Sequence, residues 1–136
     1  MQTGWVEAVD RRFLRSRDPD VRPAPLCVRR RDGWRLIEWS QVRYLQAEHK
    51  YVVIHHTHGE DLLDISLCNL ELRFAERLLR IHRNCLVVKA AMSGLKRDRA
   101  GNVSVQLRDV AESLSVSRRR VPELRRWLRD SVTGRR

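Results

Sequence analysis

Beyond residue 24 the chain alternates short apolar bursts with polar punctuation, the pattern of β-strands joined by turns. "LCVRRR" and "WRLIEW" flank Asp32-Gly33, a strong hairpin signal. "QVRYLQA" sets Val42, Tyr44 and Leu45 among polar neighbours, "YVVIHHT" follows, and His58-Gly59-Glu60 reads as a turn into "DLLDI". Further on come "NCLVV", "MSGLKR", the turn "DRAGN", "NVSVQL", a turn around Asp109 and "SLSVS". That makes about nine strands at the ~8–12-residue spacing expected of an all-β fold.

Two stretches switch to a helical period. In "SLCNLELRFAERLL", Leu67, Leu70, Phe74 and Leu78 form one stripe, with Ser66 as its N-cap. The stripe carries this helix to Leu78, so Arg80, His82, Arg83 and Asn84 of "LLRIHRN" fall between a helix end and the start of a strand. The last helix has Val121, Leu124 and Leu128 on one face with Trp127 beside them, and Arg125, Arg126 and Arg129 elsewhere. Pro122 fits only a first turn, so the helix begins near residues 118–121. Arg118, Arg119 and Arg120 then occupy its leading loop and first turn, where the helix dipole disfavours cations by about 0.3–1 kcal/mol each. At the other end, Trp5, Val9 and Phe13 allow a short helix before "SRDPDVRPAP", a linker composition. The expected division is a linker or short helix over 1–23 and one domain over 24–136.

Charge changes this picture more than composition does. Of 136 residues 42% are hydrophobic, which excludes wholesale disorder, yet the formal charge is +11. Residues 117–136 hold eight Arg against Glu123 and Asp130, a net +6, so more than half the excess sits in one terminal segment. Such a patch points to a polyanionic partner. No apolar run approaches the ~18 residues needed to span a bilayer, and no signal peptide opens the chain. Cys27, Cys68 and Cys85, odd in number and scattered, fit the reduced thiols of a cytoplasmic protein.

A catalytic constellation is absent. No nucleophile elbow surrounds any Ser, and the six glycines make neither a GxGxxG nor a Walker loop, so no enzyme, cofactor or small-molecule substrate is expected. Glu60, Asp61 and Asp64 read as a solvated turn. His55, His56 and His58 come without CxxC or HxxxH spacing and read as a surface hairpin rather than a metal site. The remaining chemistry is polar recognition. "AEHKY" at 47–51 combines an acid, an imidazole, an ammonium and a phenol; "LLRIHRN" and "SVSRRR" add Arg80, Arg83, Asn84, Ser117 and three guanidiniums. Each is a loop or an element terminus, where binding groups are commonly displayed.

"LLRIHRNCLV" at 78–87 and "VSRRRVPEL" at 116–124 resemble the two signatures of the LytTR DNA-binding domain of LytR/AlgR-type bacterial response regulators. "VRYLQAEHKYVVI" and "SLCNLELRFAERLLRIHRN" are similar to the AlgR branch, and the likeness covers about residues 24–130. The resemblance implies a mainly β fold: elongated antiparallel sheets of about ten strands, one intervening helix and a short C-terminal helix. It further implies a transcription regulator of double-stranded promoter DNA. Such proteins bind direct repeats with two copies side by side and insert loops into the major groove. By position it implies base contacts from Arg119, Lys50 and His49. Backbone or groove contacts are implied for Tyr51, Ser66, Arg80, Arg83, Asn84, Ser117, Arg118 and Arg120, while His82 is expected to be structural. Two departures stand out: the third arginine of "RRR" is unusual for the family, and residues 1–23 are too few for a receiver domain. The latter leaves an excised DNA-binding part or a stand-alone regulator as the expectation.

The charge alone also fits an RNA-binding module, or a protein-interaction domain using the basic C-terminal segment. An RNA reader of single strands would display stacking aromatics, for which only Tyr44 and Tyr51 qualify.

Overall fold

The computed structural model describes residues 25–133, so the segment expected to be a linker or short helix, 1–23, lies outside the described residues. Among the described residues ten antiparallel strands form three sheets. The first is a hairpin of β1 (Leu26–Arg30) and β2 (Gly33–Ile37); its two-residue turn is Arg31-Asp32, one residue earlier than expected, with Gly33 already paired to Arg30. Gly33 has φ 144°, a value that only glycine adopts readily. The central sheet has the order β5-β4-β3-β7-β6, from β3 (Val42–Glu48), β4 (Tyr51–His56), β5 (Gly59–Leu63), β6 (Leu78–His82) and β7 (Cys85–Val88). The third sheet, β10-β9-β8, contains β8 (Met92–Arg97), β9 (Val103–Leu107) and β10 (Leu114–Ser115).

The chain leaves β5 at one edge of the central sheet and re-enters as β6 at the other. Helix α1 (Leu67–Arg73) makes that crossing. Ser66 caps it, its hydroxyl accepting from the Asn69 N–H at 3.1 Å. Leu67 and Leu70 are buried, and Phe74 meets Trp39 with ring centroids 4.6 Å apart. The helix stops at Arg73, short of the length that the apolar stripe predicts. Leu78 is buried as expected, but from a strand, because Leu78, Leu79 and Arg80 pair with Val88, Val87 and Leu86. An open sheet edge with unsatisfied backbone groups outcompetes one more helical turn. Arg80 and His82 therefore lie within a strand rather than at a helix end.

Helix α2 (Val121–Thr133) buries Leu124, with Val121, Trp127 and Leu128 half-buried on the core, as the stripe predicts. Among the described residues no helix is long and apolar enough to cross a membrane, and no disulfide joins the three cysteines.

The histidine hairpin differs from its expected solvated state. Its turn is Thr57-His58, with Gly59 already paired to His56 in the sheet. The Asp61 side chain is only 9% exposed, and its carboxylate accepts from Arg30 at 2.8 and 2.7 Å and from His56 Nε2 at 2.8 Å. His56 Nδ1 accepts the His58 N–H at 3.2 Å, so Nε2 carries the proton given to Asp61. This cluster bonds the β1–β2 hairpin to the central sheet. His55 stacks on Tyr44 at 4.0 Å and pairs with Glu60 at 3.3 Å; burial lowers its pKa.

Candidate nucleic-acid interface

The three polar loops singled out in the sequence meet around one turn. β3 and β4 are joined at Glu48 and Tyr51, leaving His49 and Lys50 as an exposed hairpin tip. His49 sits at φ 54°, a left-handed conformation that a non-glycine residue adopts at a cost. β6 and β7 are joined at His82 and Cys85, leaving Arg83 and Asn84 as a second tip. The third element is a 3-10 turn, Arg118–Arg120, that runs directly into α2.

Four successive carbonyls of the second tip hold this arrangement together. The register of β6 shifts between Arg80 and His82, and the Ile81 carbonyl accepts the Ser117 N–H at 2.9 Å. The Asn84 carbonyl accepts the Ala47 N–H at 2.9 Å, two residues before His49 of the first tip. Between them, Arg80 donates Nε to the His82 carbonyl at 2.8 Å and Nη2 to the Arg83 carbonyl. Its Nη1 meets Glu71 Oε1 on α1 at 2.8 Å.

His49, Lys50, Tyr51, Ser66, Arg80 and Arg83 line one shallow groove of about 360 Å³. Tyr51 is 49% exposed at its rim, and Asp64 supplies a carboxylate on the same wall. Arg80 is largely enclosed, each of its three nitrogens engaged in one of the protein contacts above. Arg83, by contrast, is exposed and makes no ion pair among the described residues. The arginine turn does not line this groove but is bonded to β6, beside it, through the Ser117 N–H and the Ile81 carbonyl. Arg118 and Arg119 are exposed, whereas Arg120 is half-buried and leans on Glu123 at 3.4 Å. The Ser117 hydroxyl makes no capping bond. The arrangement is thus an array of exposed donors, His49, Lys50, Arg83, Arg118 and Arg119, on loops bonded to a sheet edge. That is the charge and geometry to engage phosphates and base edges.

His82 is half-buried, and its Nδ1 accepts the Asn84 N–H at 3.4 Å, which helps shape the tip as a structural residue would. Glu71 and Cys68 escaped sequence reasoning. Cys68 lines the groove from the first turn of α1, and nothing in the local pattern pairs Glu71 with Arg80 nine positions away.

Residues 32–129 match the family described as the LytTr DNA-binding domain. Over 104 residues the chain is 41% identical to the Positive alginate biosynthesis regulatory protein of Pseudomonas aeruginosa. That stretch covers 76% of this chain and 42% of the relative, so the chain spans about two fifths of that protein's length. The fold is similar to the LytTr DNA-binding domain of a Bacillus cereus response regulator, with a TM-score of 0.70 at 21% identity. That superposition covers 77% of this chain and 96% of the other.

Proposed function

The chain belongs to the LytTR DNA-binding domain family, and from that premise we propose that it regulates transcription by reading promoter direct repeats through loops inserted into the major groove. Two copies bind side by side, one on each repeat. Arg119, with Lys50 or His49, reads base edges. Tyr51, Ser66, Arg83, Asn84, Ser117 and Arg118 contact backbone or groove, and Arg120 assists from beside Glu123.

The observation that carries this reading is the bonding of the first and third loops to the Ile81 and Asn84 carbonyls of the second. Side chains on separate loops recognise a fixed sequence only when the loops keep a fixed spacing. Arg119 also has its planar fork unspent among the described residues, and a bidentate Arg–guanine pair gives about 1–3 kcal/mol of discrimination. A guanine or phosphate acceptor compensates the three guanidiniums for their position ahead of a helix N-terminus. Tyr44 is stacked on His55 and half-buried, so of the two candidate tyrosines Tyr51 alone is open to stack, fewer than the roughly two or three bases a sheet-face RNA reader stacks.

Selection of bound sequences from a random duplex pool tests the reading and yields motif, repeat spacing and stoichiometry together. Arg119→Ala is then expected to weaken the selected duplex about 5- to 150-fold while random duplex changes little. Equal losses on both duplexes refute base reading by Arg119. Failure to enrich any sequence, or tighter binding of single-stranded RNA at matched salt, refutes the function itself.

A further inference from the structure

We propose that Glu71 and Arg80 form a positioning pair that holds the three reading loops in register, and that Arg80 is not itself a DNA contact. The proposal rests on the DNA-reading role of those loops, but its structural half is testable without DNA.

The geometry is unusual in how completely one turn is used. From Ile81 to Asn84 every backbone carbonyl has a donor: Ser117 N–H, Arg80 Nε, Arg80 Nη2 and Ala47 N–H in order. The outer two bonds fix the third and first loops, and the inner two depend on one side chain. That side chain is 9% exposed, so its guanidinium has exchanged water for protein acceptors. Glu71, on α1, supplies the only carboxylate paired with it among the described residues, and orients the fork from behind. A buried charge of this kind needs all of its partners; with one removed, the group is driven to seek water and the turn loses its inner bonds. Arg83 illustrates the division of labour. Its carbonyl is held by Arg80, while its own side chain stays exposed and unpaired among the described residues.

Lysine at position 80 keeps the charge but has one ammonium in place of a planar fork, and cannot serve three acceptors in that geometry. Glu71→Gln keeps size and an acceptor oxygen while removing the charge. In native-state hydrogen exchange, both variants are expected to speed exchange at the Ala47 and Ser117 amides about tenfold, with amides inside the sheets, such as Val53 and Val105, unchanged. Across a salt series, both are expected to weaken a selected duplex about tenfold while the salt slope and the affinity for random duplex stay as in the parent. Unaltered exchange at both reporter amides overturns the proposal. So does a salt slope that falls by about 0.9 with equal losses on selected and random duplex, the signature of a lost phosphate contact. Should Arg80→Lys fail to fold, Glu71→Gln carries the test by itself. Faster exchange at both amides in a protein that binds no duplex upholds the positioning role and refutes DNA reading.

Discussion

Replacing Asp61 with alanine is expected to cost about 3 kcal/mol of stability at neutral pH, although its neighbourhood in the sequence looks like an exposed turn. The figure follows from what the carboxylate leaves behind. His56 has a fully enclosed side chain, and its Nε2–H would lose its acceptor, an orphaned buried donor worth about 1–3 kcal/mol. Arg30 is more accessible, at 35%, so water takes over much of its lost pairing and adds less. Urea unfolding of both proteins at several pH values measures the difference. Burial by itself would raise the Asp61 pKa, but hydrogen bonds from Arg30 and His56 outweigh it and hold the carboxyl below its ordinary 3.8. With a depressed folded-state pKa, the unfolded chain takes up its proton first as pH falls. The contribution is therefore complete above the ordinary value, erodes below 3.8 and is gone once pH drops through the folded value. A difference under about 1 kcal/mol at pH 7, or one that persists undiminished at pH 2, refutes the buried-hub account.

Leu124→Ala, at a fully buried position of α2, should lower unfolding free energy by about 2–5 kcal/mol in denaturant titration, with weaker duplex binding as the arginine turn loses its anchor. His49→Gly should raise thermal stability by up to about 1 kcal/mol by relieving the φ 54° conformation, yet weaken selected duplex in a binding titration. Thiol labelling should find Cys68 reacting fast while Cys85, buried and with its pKa pushed up to about 12, reacts only on unfolding. Because Cys68 lines the groove, selected duplex should protect it from the reagent; undiminished labelling in the complex refutes the groove as the binding face.

Local pattern determined much of this protein. Apolar alternation, the Asp32-Gly33 hairpin signal, the Ser66 cap and the stripe of Val121, Leu124 and Leu128 are short-range signals, and each element they predict is present, the first hairpin turning one residue earlier at Arg31-Asp32. The sequence also marks the three loops and the concentration of arginine at 117–136. Tertiary structure decided the rest, wherever partners distant along the chain compete. An apolar stripe through Leu78 is compatible with helix or strand until β7 offers its backbone, and then strand pairing prevails. Asp61 looks solvated until Arg30, 31 residues earlier, and His56 enclose it. Arg80 looks like one more cation for a polyanion until Glu71 and two carbonyls engage all three of its nitrogens. Periodicity registers which side of an element faces the core, whereas the partner of a buried charge is set by chain crossings that bring remote groups within hydrogen-bond reach.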